Sequence, residues 1–445
     1  MASLRDSHEA YIPGQAEHPA IRALRARSLA WIDEHGLPDK KLEGWRYTSP
    51  AKIDRTPFVH DAGELFEALA APLFHRLSMH DAVAEIVFIN GRLALGLSRL
   101  GEGVAGLSVV PFTPADVDRA IAPRIDPFGW TPRPNASWGT ASPGEVPREQ
   151  AFDILNSAFI QDGVHITAER GAEIEGTVHV LSITVGEGRP IAAHPRFWVT
   201  VAPGASLELV EQHAGAGDQA VLSNVVTDVR VEATGRLVHH VWSERGPQHH
   251  HVQHVRAELM RDAQWVGHFV GLGDGWARTD VDVRFVEPGG DVLCTAVQVL
   301  TGKGHGDVHT WMRHDAPHGT SRQFARSIAG DQARAVFDGC IHIAKDAQRT
   351  HAELVSKNLL MSERAAVFAK PQLEIHADDV TASHGCTIGQ LDPLQVDYLR
   401  ARGIPEAAAR RLLTRGFVAE VLAEVSSDTL RSTVEERALA WLEGL

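Results

Sequence analysis

Val229-Arg230-Val231-Glu232-Ala233-Thr234-Gly235-Arg236-Leu237-Val238-His239-His240-Val241 reads as a strand, a tight turn at Thr234-Gly235 and a second strand. Apolar and polar residues alternate on both sides of the turn. That period of two gives a strand one face for a core and one for solvent. The same unit recurs along the chain. Upstream, Val164-His165-Ile166-Thr167 precedes Gly171-Ala172 and Thr177-Val178-His179-Val180. Phe197-Trp198-Val199-Thr200-Val201 meets Pro203-Gly204-Ala205 and then Leu207-Glu208-Leu209-Val210. Downstream, Val255 to Leu259 passes through Asp262-Ala263 to Trp265 to Val270, and Val281 to Val286 passes through Pro288-Gly289-Gly290 to Val292 to Val299. The units advance by roughly 27–32 residues, within the range of solenoid repeats. One hairpin-like unit cannot bury its inner face alone, whereas stacked units share a continuous core. The sequence therefore predicts a mainly β fold built on a β-helix-like solenoid. A β-sandwich, or a pair of double-stranded barrels, has the same strand rhythm and stands as the alternative.

Outward from this centre the pattern changes. Alternation continues through Val336 to Ile343 and Gln372 to His376, and ends at Gly389. After Asp392-Pro393 it turns helical, with Ile404 to Leu413, Phe417 to Leu422 and a last helix from about Asp428 to Leu442. At the other end, Ile21, Leu24, Ser28, Leu29 and Ile32 share a helical face, closed by Gly36 and Pro38. A second helix is predicted from Ala62 to Leu77, with Leu65, Phe66, Leu69 and Leu73 as its stripe. Pro127, Pro132, Pro134, Pro143 and Pro147 mark a connector, and Ala151 to Leu155 reads as a further helical piece. The expected organisation is a helical region with its connector over 1–150, the β core over 151–392 and a helical domain over 393–445.

Composition bounds the function. The chain has 445 residues, 44% of them hydrophobic, and a net charge of −14. An acidic balance disfavours binding to a phosphate backbone, so no nucleic-acid partner is expected. No apolar run is long enough to span a membrane, and the first residues lack the apolar stretch of a secretory signal. A cytoplasmic protein is expected. Cys294, Cys340 and Cys386 are far apart, without C-x-x-C spacing, and read as unbridged buried thiols.

Histidine is abundant, with 25 in all and 15 of them between His239 and His384. On a strand, His249 and His251 would point one way and His250 the other. Imidazole suits zinc, copper and iron, so this run and the looser His305, His309, His314 and His318 would serve a metal-dependent, cupin-like β-fold enzyme. The plainer reading of His249 to His254 is an exposed loop or strand end. No G-x-x-x-x-G-K-[ST] phosphate loop and no G-x-S-x-G elbow occur. Lys303, in Gly302-Lys303-Gly304-His305, lacks both the loop spacing and the hydroxyl. On chemical grounds the chain looks like a scaffold, not an enzyme.

The segment Lys370 to Gly389 contains Asp378-Asp379-Val380-Thr381-Ala382-Ser383-His384-Gly385-Cys386. With Glu43-Gly44-Trp45-Arg46-Tyr47-Thr48, Val336-Phe337-Asp338-Gly339, Ala347-Gln348-Arg349-Thr350-His351-Ala352, Asn358-Leu359-Leu360-Met361-Ser362 and Asp397-Tyr398-Leu399-Arg400-Ala401-Arg402-Gly403-Ile404, it resembles the SufB/SufD family, and its D-type members in particular. The B-type paralogue carries Glu-His-Glu where Ser383-His384-Gly385 stands here. The resemblance implies a central right-handed parallel β-helix between N-terminal and C-terminal helical regions. It implies a scaffold subunit of the Suf iron–sulfur cluster assembly complex, pairing with a B-type paralogue and with a separate ATPase. No ATP site is expected in this chain. The cluster would be transient and shared with the B-type partner, and flavin on the complex is left open. An exposed sheet edge would let an isolated chain pair with itself. His384 matches the family's interface histidine, and neutral imidazole is a competent iron ligand. The cysteine that many D-type proteins carry two residues earlier is Ala382 here. Cys386, on the same face by alternation, is a weaker second candidate. The resemblance assigns the helices around Leu412, Leu413, Phe417, Val421 and Leu422 to docking the ATPase; packing on the chain's own core is the plainer reading.

Overall fold

The computed structural model describes residues 18–60, 67–112, 146–423 and 428–442. Its helices are α1 (Pro19–His35), α2 (Ala51–Arg55), α3 (Glu67–Leu77), α4 (Ala151–Phe159), α5 (Pro393–Arg400), α6 (Glu406–Leu422) and α7 (Asp428–Leu442). Three strands precede α4: β1 (Ala84–Ile89), β2 (Arg92–Leu93) and β3 (Leu107–Phe112). Then come β4 (Gly163–Ala168), β5 (Glu173–Gly186), β6 (Ile191–Ala193), β7 (Arg196–Val201), β8 (Ser206–Gly217), β9 (Val221–Val231), β10 (Arg236–Arg245), β11 (His249–Leu259) and β12 (Gln264–Gly273). The series continues with β13 (Trp276–Phe285), β14 (Asp291–Leu300), β15 (His305–His314), β16 (Thr320–Ala329), β17 (Arg334–Ile343), β18 (His351–Leu360), β19 (Ala366–Ile375) and β20 (Thr381–Gly389).

Alternate strands belong to different sheets. One sheet has the order β2-β1-β5-β8-β10-β12-β14-β16-β18-β20, the other β19-β17-β15-β13-β11-β9-β7-β4-β3. From β8 onward every ladder is parallel. That register is the signature of a parallel solenoid and rules out the sandwich. It also corrects the hairpin-like reading: β9 and β10 do not pair with each other, and Thr234-Gly235 is a corner between sheets. The strands β8, β10, β12, β14, β16, β18 and β20 begin at Ser206, Arg236, Gln264, Asp291, Thr320, His351 and Thr381, an advance of 27 to 31 residues per coil.

The corners explain the turn residues. Gly171, Gly204, Thr234, Asp262, Gly289, His318 and Arg349 all have positive φ, between 54° and 85°. Each N–H donates to a carbonyl of the next coil: Gly204 to Ala233 (3.1 Å), Thr234 to Arg261 (2.8 Å), Asp262 to Pro288 (3.0 Å), His318 to Gln348 (2.9 Å) and Arg349 to Asp379 (2.6 Å). Glycine enters this conformation freely, and Asp and His do so more readily than β-branched residues. The weak identity between repeats is therefore physical. What must recur is one backbone conformation and an inward apolar face, not a particular side chain.

Inward residues form one cluster running the length of the solenoid, from Val178 and Leu209 through Trp265, Phe269 and Val283 to Phe337 and Leu354. Helices cover the outer faces. On one sheet, Val418, Val421 and Leu422 of α6 and Val434 and Ala438 of α7 pack on Trp242, Leu272, Val299 and Ile328. On the other, α4 with Ile32, Trp45, Ile53 and Phe58 packs on Ala192, Leu222 and Val252.

The N-terminal region is not all helix. β1 adds in parallel to β5, and β3 pairs antiparallel with β4, so the sheets begin well before residue 151. In α1, Ile21, Leu24, Ser28 and Ile32 are buried as predicted, while Leu29 is half-buried. In α3 the buried residues are Ala70 and Leu77, and Leu69 is exposed. Of the predicted stripe, Leu73 is half-buried against the cluster of Ala70 and Leu77, while Leu65 and Phe66 lie outside the described residues, as do residues 126–145 of the proline-rich connector. The segments around Ile404 and Phe417 form one continuous helix, α6, after a turn at Gly403. No helix among the described residues is long and apolar enough to cross a membrane.

Candidate functional site: the terminal coil

β19 and β20 close the solenoid, and each is the last strand of its sheet. Each therefore has one edge without a strand partner among the described residues. His384 pairs in register with Leu354 of β18, and the column continues through Gln323, Cys294, Gly267 and His239. In a parallel sheet, residues in register leave on the same side. His384 therefore occupies a lumen-facing position. Leu354 beneath it is 0% exposed, yet His384 is exposed because no coil among the described residues stacks above. Ala382 stacks on Ala352 and Cys386 on Ser356, so the three residues share a face as the alternation predicted. Along a strand His384 and Cys386 lie about 6.6 Å apart.

Cys386 departs from the expectation of a buried thiol, since it is exposed while Cys294 and Cys340 are buried. Partial burial still raises its thiol above the ordinary cysteine value. Asn358 reaches towards it, with Nδ2 3.9 Å from Sγ and donating to the Thr387 carbonyl at 3.1 Å. Burial pushes the Cys294 thiol up to about 12, so it is inert at neutral pH.

Two sequence motifs meet beside this coil. The segment Glu43 to Thr48 lies on the outer face of the β19 sheet. Trp45 is 1% exposed and carries the Arg278 guanidinium 4.1 Å from its ring centroid. Thr48 donates to Asp307 at 2.5 Å, Tyr47 stacks on Phe368 of β19 at 4.3 Å, and Lys370 of β19 bonds to Glu43. Glu43, Tyr47, Thr48, Phe368, Lys370 and Ile388 line a cleft of about 390 Å³. The Ala347 to Ala352 motif supports the coil from below: Asp379 N–H donates to the Gln348 side chain at 2.8 Å, and Thr381 N–H to the Thr350 carbonyl at 2.9 Å. The sequence pattern missed two exposed apolar residues of this coil, Ile375 and Ile388. Each looks like an ordinary strand residue, and only its position in the last coil exposes it.

The histidine-rich segments are placed differently from expectation. His249, His250, His251 and His254 are buried within β11, not in a loop or at an exposed end. His254 bridges Asp153 of α4 (2.6 Å) and Asp282 (2.8 Å). His213 and His239 both bond to Glu211, at 2.9 and 3.1 Å. Burial opposes that carboxylate's charge, but these histidines outweigh it and hold it at about 2. His305 bonds to Thr48, and His314 to Ser321. Among the described residues no group of three or more His, Cys, Asp or Glu is arranged to hold a metal ion. These histidines bond instead to α4, to neighbouring strands and to the Glu43 to Thr48 segment.

The docking candidates divide. Val421 and Leu422 are 3% and 1% exposed and pack on the solenoid, and Phe417 is half-buried against the same cluster. They hold α6 to its own chain, which corrects their assignment to a partner surface. Leu413 is half-buried beside a groove formed with β18 and β20. Leu412 is 50% exposed, and so are Leu394 and Tyr398 of α5, at 76% and 57%.

Comparison with known proteins finds relatives along most of the chain. Residues 183–417 match the family model described as "SUF system FeS cluster assembly, SufBD core domain". The chain is 29% identical over 408 residues to the iron–sulfur cluster assembly protein SufD of Escherichia coli, covering 90% of this chain and 88% of that protein. It is 25% identical over 408 residues to a SufBD family protein of Synechocystis, covering 90% and 86%. It is also 26% identical over 284 residues to SufD of Bacillus subtilis, covering 62% and 63%. A parallel solenoid that carries the family's motifs into its last coil, and a core-domain match over more than half its length, make this chain a member of the SufBD family of the SUF iron–sulfur cluster assembly system.

Proposed function

We propose that the chain is a D-type, non-catalytic scaffold subunit of a cytoplasmic Suf complex. It pairs with a B-type paralogue through its terminal coil and binds a separate ATPase through its C-terminal helices. The nascent iron–sulfur cluster is cargo held at the shared interface. The observation that carries this reading is His384, a lumen-facing residue left exposed on a strand whose outer edge is unpaired among the described residues. An edge strand of this kind is a template for another chain. The exposed Ile375 and Ile388 add apolar surface to the same end. The long matches to proteins named SufD favour the D type, and Ala382 leaves His384 as the main donor, with Cys386 beside it. In isolation the same edge would pair two copies of this chain.

The test is co-expression with the B-type paralogue and the ATPase, followed by iron and acid-labile sulfide analysis of the purified complex. His384→Ala should assemble the complex but leave it without cluster. Wild-type cluster content in His384→Ala would refute the role of this residue. A complex that forms without this chain's terminal coil would refute the interface.

A further inference from the structure

Arg245 ends β10 on the lumen side, two residues beyond Ser243, with Ser243 in register with Gly271 and Arg245 with Gly273. It is 3% exposed. Its Nε reaches only the Leu272 carbonyl, at 3.5 Å, and its Nη2 has no hydrogen-bond partner. Burial lowers the guanidinium to about 10, which still leaves it charged at neutral pH. No carboxylate neutralises it among the described residues. Glu244 faces the other side of the strand, where it meets Arg76 at 3.2 Å and Arg437 at 3.7 Å. Glu211 is occupied by His213, His239, Thr227 and Gln253. Asp307 is held by Arg278, Thr48 and His309. A buried cation without a counter-charge is strongly unfavourable, and folded proteins pair such groups.

The guanidinium faces a small cavity in the lumen, about 20 Å³, lined by Ser243, His251, Gln253, Gly271 and Gln298, and also by the Asp307 carboxylate, whose charge Arg278 matches at 3.1 Å. That volume holds one water-sized species. Gly271 keeps the space open, since a Cβ there would stand 2.8 Å from Arg245 Nη2. The cavity thus combines an unpaired buried cation, a hydroxyl donor and room for a single small particle.

We propose that the solenoid lumen holds one small monovalent anion of halide size on Arg245, beside Ser243, in the space left by Gly271. A water would satisfy Nη2 but leave the charge uncompensated, whereas an anion does both. The site is independent of the assembly role argued for His384. It would serve as a structural counter-ion at mid-solenoid, where the polar lumen residues are concentrated.

The full chain is studied in chloride-free gluconate buffer and titrated with sodium bromide or sodium chloride. The expected result is a saturable rise in melting temperature with either halide, absent on adding further gluconate. Crystals grown with bromide should show one anomalous peak at Arg245. Arg245→Met should lose the saturable rise, and Gly271→Ala should lose it while keeping the arginine. A lumen with no anomalous peak, or a halide response unchanged in Arg245→Met, would overturn the proposal. Should Arg245→Met fail to fold, the anomalous map of the unaltered chain decides alone.

Discussion

His384 stands in register with Leu354, so its imidazole continues the inward column at the last coil of the described solenoid. The leucine is fully buried and the histidine is exposed, although both occupy the same kind of position. Removing the imidazole should therefore leave the fold intact. His384→Ala should change unfolding free energy by less than about 0.5 kcal/mol, whereas Leu354→Ala should lose about 2–5 kcal/mol. Urea denaturation of the two variants checks the contrast.

Cys386 is the exposed cysteine, and its thiol is raised by partial burial. Alkylation of the native chain should label Cys386 while leaving Cys294 unmodified. The rate should be slow at pH 7 and climb as pH passes the ordinary thiol range, because only the thiolate reacts. Peptide mapping after timed iodoacetamide treatment reads this directly. On the assembled complex, Cys386→Ala should lower cluster content less than His384→Ala does.

His254 ties α4 to the solenoid through Asp153 and Asp282. Burial disfavours its imidazolium, but the two carboxylates outweigh that and raise it to about 9. Below pH 6.5 both folded and unfolded chains carry the proton, and the pairing contributes in full. As pH rises through about 9 the contribution is lost. Stability of the unaltered chain should fall over that window more steeply than that of His254→Gln. At pH 6 the variant should be less stable by about 3–5 kcal/mol, the effect of breaking a buried ion pair.

Trp45 is buried under the Arg278 guanidinium, at the start of the segment that braces β19. Trp45→Ala should destabilise by about 3–5 kcal/mol. It should also loosen the stack of Tyr47 on Phe368, 4.3 Å apart, and so increase hydrogen exchange across β19.

Val421 and Leu412 lie on opposite sides of α6. Val421→Asp should unfold the C-terminal region, because a carboxylate would enter the cluster around Trp242 and Val299. Leu412→Glu and Leu394→Glu should leave stability unchanged and reduce co-purification with the ATPase, if α5 and α6 form its docking surface. Truncation near residue 395 would not separate these effects, since it also strips the cover from the solenoid.

Inward alternation and the turns at Gly204, Thr234 and Gly289 were enough to predict a mainly β fold, its repeat length and its end at Gly389. Each is a local property, since side-chain direction and corner conformation depend on near neighbours. The motif around His384 likewise singled out, from the residues alone, the strand that closes the solenoid. Tertiary structure decided what those patterns could not. Alternation is the same for a strand that pairs with the next strand and for one that pairs a full coil later, so only the parallel register separated solenoid from sandwich. Burial of the His249 to His254 run, Val421 and Leu422, and exposure of His384, Cys386, Ile375 and Ile388, follow from what stacks above or packs outside each coil. That is a long-range property. It leaves a strand of ordinary composition buried in the middle of the solenoid and exposed at its end.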